Sequence, residues 1–453
     1  VRVHFFGAGG KGIAPAASLA LQAGYEVTGD DLTDNHRTRL LREAGAAIRI
    51  GANRLPEGHY SSVVATAALS GSRIIGGAGR EAQPVLGRLE FVQQVFADRR
   101  KDVLAVCGTV GKSTAAAIVH AALGQSRPSC YIGADIDGLL CGARLGSGPW
   151  AITEACEYQD SYFGLRPRML MLLNIAPNHE DHFGPGTLGF SRSIGRLIPD
   201  SADSLDHVIL ATGAAATLRD HGLMVHGHTV GFGDPDWQVM ILDASPDRTR
   251  FSLTHQGLAD TFDLPLAGTH AALAAAMAVV AARLVGLDDR AVQAGLDTAR
   301  LPDRRMSVRH SSDHVVIYDD NARLPLQLES LLNALRQRHP QQRLIAVVSP
   351  WGRRNRRNLR EWAPVAAKAD FVYVLPVDDA STLRGGAEDP AAAADLAALI
   401  GHYGGAAQAI SHVSEIVLAP AAGPLPDVYV TAGYDSNEGV FAEVHQRLAA
   451  QSS

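Results

Sequence analysis

The sequence predicts an α/β protein of three domains, each built on a largely parallel sheet covered by helices. Three observations predict it. Short apolar runs alternate with Ala- and Leu-rich helical runs along the 453-residue chain. Two glycine turns, Gly7–Gly12 and Gly108–Gly111, each follow an apolar run and open a helical one. The βα rhythm then restarts after a linker-like stretch at Gly295–Arg305. The expected domains are 1–98, 99–297 and 298–453.

In chain order, Val1–Phe6 reads as a strand running into the first glycine turn, not as a signal peptide. Ile13–Ala23 follows as a helix, and Tyr25–Gly29 as a strand ending at Asp30 and Asp31. Ser62–Thr66 is a further strand and Arg88–Phe96 a helix. The charged break Asp98–Asp102 marks the first boundary. Val103–Cys107, the second glycine turn and the helix Ser113–Leu123 form the next βα unit. Met169–Leu173 is wholly apolar, as a strand buried on both faces should be. His270–Leu284 is an Ala-rich helix. In the last domain, strands are expected at His314–Tyr318, Arg343–Val348, Phe371–Leu375 and Val428–Thr431. Helices are expected near Leu326–Arg338, Leu359–Ala369, Ala391–Ile400 and Gly439–Ala450. Gly385–Ala394 and Ala419–Pro426 read as surface loops.

Composition narrows the function classes. Hydrophobic residues make up 46% and charged residues 19%, which fits packed domains rather than disorder. The net charge of −6 argues against a dedicated nucleic-acid binder. No apolar run approaches the roughly 18 residues needed to span a bilayer. Cys107, Cys130, Cys141 and Cys156 form no CxxC pair, so a reduced, cytoplasmic setting is expected. Lysine occurs only at positions 11, 101, 112 and 368, which makes a lysine inside a glycine turn conspicuous.

That lysine is Lys112, in Gly108-Thr109-Val110-Gly111-Lys112-Ser113-Thr114. A strand–turn–helix of this kind wraps phosphates in backbone N–H groups, and the helix N-terminus adds about half a positive charge. Lys112 can neutralise β- and γ-phosphates, and Ser113 can ligate Mg²⁺. The central domain is therefore expected to be of the P-loop ATPase type, although the strict spacing would put another glycine at Val106. Gly7, Ala8, Gly9, Gly10 and Gly12 fit GxGxxG, with Asp30 and Asp31 closing the next strand, so this domain is expected to be Rossmann-like. Taken alone the turn reads as NAD binding. A dehydrogenase has no need of a second, ATP-type turn, so another nucleotide diphosphate is the better expectation.

Two acid and histidine clusters, Glu154–Tyr158 and Asn174–His182, follow strands at Trp150–Thr153 and Met169–Leu173. Parallel sheets bind ligands at this C-terminal edge. Glu154 and His179 could hold metal on the γ-phosphate. The basic run Arg353–Arg357 reads either as a solvated face or as a clamp for a substrate carboxylate.

Together these segments resemble the Mur ligases, the ATP-dependent amide-forming enzymes of peptidoglycan assembly. The likeness covers nearly the whole chain and is greatest to members that join L-alanine or a murein tripeptide to UDP-N-acetylmuramate. His4–Gly10 is similar to the family's UDP-binding opening, and Gly108–Thr114 to its GT-x-GK-[ST]-T turn. Glu154–Tyr158 is similar to EADE-[SY], Asn174–Asp181 to NI-x-x-DH-x-D, and Gly268–His270 to G-x-HN. Arg304-Arg305 and Asp319-Asp320 resemble the family's RR and DD.

The resemblance implies UDP-sugar, ATP and amine domains, the last one also Rossmann-like. It implies ATP and Mg²⁺, a UDP-sugar carboxylate substrate and an amino-acid or short-peptide amine. A monomer or homodimer without nucleic acid or membrane insertion is expected. Lys112 would contact phosphate, Ser113 and Glu154 would hold one Mg²⁺, and Glu154 with His179 would approach the other. His270 would lie near the adenine. Thr66 would join the first glycine turn at the UDP-sugar. Arg304 or Arg305, with Asp319 or Asp320, would orient nucleotide and amine. Several positions depart from the pattern. Cys156 and Asn178 each replace an Asp, and Ala271 and Ala274 replace asparagines. Asn321–Pro325 replaces an aromatic-Ala-His-His-Pro segment, and Ser349–Gly352 a QPH or EPR segment. A Mur-like ligase recruited to a specialised peptide or nucleoside pathway, or a non-catalytic nucleotide-binding relative, are the alternatives.

Overall fold

A computed structural model describes residues 1–51, 58–65, 84–245, 247–349, 359–376, 390–417, 425–433 and 438–451. The chain forms two compact units, Val1–Ala244 with Arg248–Pro302, and Asp303–Ser453 with Ser245–Asp247.

The first unit contains two sheets. The smaller has β1 (Arg2–Phe6), β2 (Glu26–Asp31), β3 (Ala47–Ile50), β4 (Ser62–Ala65) and β5 (Val85–Gly87), in the order β3-β2-β1-β4-β5. All neighbouring pairs are parallel. The chain steps outward from β1 to β3 and then resumes on the other side at β4. A crevice therefore opens beyond the C-terminal ends of β1 and β4, where the first glycine turn lies. The helix Ala14–Gln22 starts with proline in its first turn and buries Ala14, Ala16, Ala17, Leu19 and Ala20.

The larger sheet has β6 (Asp102–Cys107), β7 (Ser129–Tyr131), β8 (Ala143–Arg144), β9 (Trp150–Glu154), β10 (Met169–Leu172), β11 (His207–Ala211), β12 (His228–Gly231), β13 (Trp237–Ala244), β14 (Thr249–His255) and β15 (Leu258–Leu264). Their order is β15-β14-β13-β12-β11-β10-β6-β9-β7-β8. Pairing is parallel from β7 through β13 and antiparallel at both margins. Strand β6 lies between β9 and β10, with Val106 opposite Glu154 and Cys107 opposite Leu172. The expected linker starts later than the sequence implies. Gly295 lies inside the helix Asp289–Leu296, close against the Ala121 carbonyl of the helix Lys112–Ala122. The glycine there lets two helices approach rather than ending one.

The second unit has β16 (Ser307–Ser311), β17 (Val315–Asp320), β18 (Leu344–Val348), β19 (Phe371–Val374), β20 (Ala407–Ala409) and β21 (Asp427–Ala432), ordered β16-β17-β21-β18-β19-β20. Only the β16–β17 pair is antiparallel. Strand β17 runs two residues beyond the expected Tyr318, because Asp319 and Asp320 pair in register with Thr431 and Ala432. Both aspartates are thus interior strand residues rather than loop residues. Arg304 is buried beside them. Its Nε donates to Asp319 Oδ2 at 3.1 Å, an Nη2 N–H donates to the Gly433 carbonyl, and its guanidinium lies over Phe441. Arg309 and Thr431 also donate to Asp319. These contacts hold Arg304 and Met306 in left-handed backbone, at φ 55° and 51°.

Asp320 Oδ2 accepts the Met306 N–H at 2.8 Å. Burial pushes its pKa up from 3.8 to about 6, against the pull of Arg305. The folded state keeps a proton that the unfolded chain has already released, so stability falls as pH rises from about 4 to about 6. Asp320→Asn should remove this fall, worth at most about 3 kcal/mol. Urea unfolding of wild type and variant at pH 4.5 and pH 7.5 checks it. A variant that loses stability in parallel with wild type would assign the effect to another group.

Candidate active site

Three chain segments leave the larger sheet side by side, because β9, β6 and β10 are adjacent and parallel. After β6 the chain turns through Gly108–Gly111 into the helix Lys112–Ala122, with Gly111 in left-handed backbone at φ 82°. An L side chain rarely takes that conformation, which explains a glycine at the helix entry. Asn174, just past β10, clasps the turn from the other side. Its Oδ1 accepts the Val110 N–H at 3.0 Å and its Nδ2 donates to the Val110 carbonyl at 2.9 Å. Thr109 Oγ1 donates to the Ala176 carbonyl and accepts the Ala176 N–H. Thr114 follows in the helix.

Lys112 folds back over this turn. Its Nζ donates to the Gly108 carbonyl at 2.6 Å and pairs with Glu157 Oε2 at 2.6 Å. Burial alone would depress its pKa, but Glu157, with Cys156 and Glu154 behind it, holds it above the ordinary lysine value. The ammonium is therefore charged across the physiological range. Ser113 Oγ donates to Glu154 Oε2 at 2.9 Å, and the Gly133 N–H donates to the same oxygen at 2.9 Å. His179 has left-handed backbone, and its Nε2 lies 3.6 Å from Glu157 Oε1. Asn178 Nδ2 donates to that same Glu157 oxygen. The carboxylate that His179 approaches is thus Glu157.

The donor set suits one kind of metal. Among the described residues no three His, Cys, Asp or Glu side chains gather into a cage. Ser113 and Glu154 instead offer two hard oxygens at a phosphate turn. Mg²⁺ is commonly held this way, by one or two side chains with water and phosphate completing the shell.

The first glycine turn is tied to β2. The Gly7 and Ala8 N–H groups donate to the Asp30 carbonyl, Gly10 N–H to the Gly7 carbonyl, and Gly9 N–H to Asp31 Oδ2 at 2.8 Å. A side-chain oxygen thus sits where a phosphate oxygen would meet the Gly9 amide. Asp30 faces inward: Arg49 donates two hydrogen bonds to it at 2.8 Å, and His4 lies 3.6 Å away. Burial would raise its pKa, but His4 and Arg49 outweigh that and hold it below the usual carboxylate range. Asp31 therefore faces the turn and Asp30 braces the sheet. Gly12 closes the turn under the Tyr131 hydroxyl, which donates to its carbonyl at 2.6 Å.

Of the remaining expected residues, His270 stands exposed in the first turn of the helix Thr269–Leu284. In the second unit, Arg304 and Asp319 bond one another and Asp320 bonds Met306, while Arg305 donates to the Asn321 carbonyl. Thr66 and the run Trp351–Arg357 lie outside the described residues. Sequence reasoning missed Glu157, Asn174 and Arg88. Glu157 carried a signal, since it lies inside the acidic segment three residues after Glu154.

Comparison with known proteins agrees with this architecture. Residues 2–100 match the Mur ligase family, catalytic domain, and residues 304–433 match Mur ligase, glutamate ligase domain. The UDP-N-acetylmuramate–L-alanine ligase of Halorhodospira halophila is 29% identical over 468 residues, covering 99% of this chain and 94% of that protein. Its counterpart from Clavibacter michiganensis subsp. michiganensis is 30% identical over 356 residues, covering 77% and 73%. The crystal structure of UDP-N-acetylmuramate-alanine ligase from Thermotoga maritima superposes with a TM-score of 0.81 at 20% identity, covering 99% of both chains. A murein peptide ligase from Psychrobacter arcticus gives 0.68 at 19% identity, covering 99% and 98%. The chain belongs to the Mur ligase family.

Glu154 and His179 flank one phosphate turn, so their losses should not multiply. Glu154→Gln and His179→Ala should each lower activity and raise the Mg²⁺ requirement. The double variant should be little worse than the worse single one. Initial rates across a Mg²⁺ titration measure this, and fully multiplicative losses would mean independent roles.

Proposed function

We propose that the protein is an ATP-dependent carboxylate–amine ligase that joins an amino acid or short peptide to UDP-N-acetylmuramate. Residues 1–98 hold the UDP-sugar, 99–297 hold ATP, and 298–453 receive the amine. One observation carries the reading: Lys112, Ser113 and Glu154 converge on a phosphate turn that Asn174 clasps from the neighbouring strand. Family membership, and relatives named UDP-N-acetylmuramate–L-alanine ligase, support the substrates.

The substrate carboxylate attacks the γ-phosphorus of ATP, giving an acyl phosphate and ADP. The neutral amine adds to the acyl carbon, phosphate departs with its bond electrons, and the proton that the nitrogen sheds leaves with the phosphate as the amide forms. The chain's own part is positioning and charge neutralisation. Lys112 meets the β- and γ-phosphate oxygens, for which it exchanges the Gly108 carbonyl and Glu157. The backbone N–H groups at the start of its helix face the same oxygens. Ser113 and Glu154 would hold Mg²⁺, which would supply charge stabilisation at the transferring phosphoryl group. His179, fixed by its left-handed backbone beside Glu157, stands at the rim of that cluster.

Lys112→Ala should abolish ATP turnover while leaving the fold intact. Losing one charge-assisted phosphate contact costs at least about 3 kcal/mol at the transition state, on the order of a hundredfold in rate. Phosphate release with ATP, Mg²⁺, UDP-N-acetylmuramate and a panel of amines measures it. Near wild-type turnover by the variant would overturn the ATP assignment.

A second reading concerns the amine. Asn321 and Ala322 are buried, Arg323 is partly exposed, and Pro325 opens the helix Pro325–Arg338. Arg323 can bind a carboxylate but cannot accept a proton near neutral pH. An acidic or bulkier amine should therefore be preferred to L-alanine. Comparing kcat/KM for L-alanine, acidic amino acids and a γ-linked tripeptide decides it. L-alanine ahead of all others by about tenfold would restore the plain cell-wall assignment.

A further inference from the structure

One partly buried cation of the first unit has no part in the chemistry above. Arg88 opens the helix Arg88–Asp98, directly after β5. Its side chain crosses to the end of the first glycine turn. A Cβ placed on Gly12 would overlap Arg88 Nη1 and come within 3.0 Å of its Cζ, so only glycine leaves room for the guanidinium there. Gly12 is also where Tyr131 bonds the turn. Tyr131 ends β7, in register with Thr153, the residue before Glu154. Arg88 therefore lies at the end of the first glycine turn, and the charge of Glu154, beside the second, acts on it.

Its charge lacks a close partner. Cys156, Tyr131 and Glu154 are the acidic groups whose charges act on it. Burial lifts the Tyr131 hydroxyl to about 12, so it carries no charge at neutral pH. Glu154 is already engaged by Ser113 and the Gly133 N–H. No described carboxylate lies within ion-pair distance of Arg88. Burial alone would lower the pKa of Arg88, but Cys156, Tyr131 and Glu154 outweigh that and hold it above the ordinary arginine value. A permanently charged, partly buried guanidinium with no carboxylate in ion-pair distance is placed to take an anion from outside the chain.

We propose that Arg88 binds the carboxylate of the UDP-sugar and so selects acidic UDP-sugars over neutral ones. The inference rests on the ligase reading above. With the diphosphate over Gly7–Gly12 and the γ-phosphate over Gly108–Ser113, the reacting carboxylate must cross the gap between the two turns. Arg88 stands in that gap. A guanidinium fork matches a carboxylate bidentately, and it holds the attacking group without taking its proton or its charge. The first glycine turn reads the diphosphate, common to all UDP-sugars, and Arg88 reads the acid.

Calorimetry on the full chain separates these two contributions. The ligands are UDP-N-acetylmuramate and UDP-N-acetylglucosamine, which share nucleotide, diphosphate and amino sugar but differ in the O3 lactyl group that carries the carboxylate. Wild type should favour the acid by about tenfold or more. Arg88→Gln should erase that preference and leave the neutral sugar within about twofold. Arg88→Lys, which keeps the charge but loses the fork, should fall between the two; it carries the comparison if the glutamine variant does not fold. Equal losses for both sugars would place Arg88 on the diphosphate or in the scaffold and overturn the proposal. So would a preference that survives Arg88→Gln, or a wild type that shows none. A wild type that binds neither sugar would overturn the UDP-sugar reading itself, and this inference with it.

Discussion

Everything at the phosphate turn depends on the register of three parallel strands. With β6 between β9 and β10, Glu154 stands opposite Val106, and Leu172 opposite Cys107. Neighbouring strands lie about 4.8 Å apart, so the segments leaving them are within side-chain reach of one another. A slip of one residue would turn Glu154 to the other face of the sheet and break its bond to Ser113. The apolar strands prevent that slip, because Leu104, Val106, Ile152, Met169 and Met171 are all fully buried. Packing in the core thus sets the geometry of charge at the edge.

Buried charge is used in two different ways. In the second unit, Arg304, Arg309, Asp319 and Thr431 form an internal network that fixes an unfavourable backbone. Such a network braces the sheet, and breaking it by removing one member would strand the others. At the phosphate turn, Lys112 is charged but its partners are exchangeable. The Gly108 carbonyl and Glu157 hold the ammonium ready, and phosphate oxygens can replace them with a stronger charge. The pair at Gly9 and Asp31 follows the same logic, with a side-chain oxygen on an amide that an anion could take.

The family's motifs survive unevenly across the chain, and the geometry gives the change a direction. Lys112, Ser113 and Glu154 gather at the second glycine turn, while His179 approaches Glu157. Cys156, in place of an acid, leaves Arg88 beside a thiol. Asn321–Pro325 supplies arginine and leucine where the family has histidines.

Much of the fold was legible in the sequence. Strands β1, β6, β10, β17, β18, β19 and β21 read as apolar runs because a parallel strand is buried on both faces. The second glycine turn was legible because its residues are contiguous. Other features were not. The antiparallel strands β13–β15, and the edge strands β16 and β20, carry mixed polar patterns, since one side of each is open to solvent. The strand was expected to end at Tyr318, before Asp319 and Asp320. Only pairing with Thr431 and Ala432, over a hundred residues later, draws them into the strand. Glu157 and Arg88 acquire meaning from Lys112 and Gly12, each distant in sequence and adjacent in space. By itself the sequence determined the apolar parallel strands and the two glycine turns, because those are local properties of the chain. Which charges meet was decided only by the tertiary structure, because ion pairs form across strands whose order the sequence does not state.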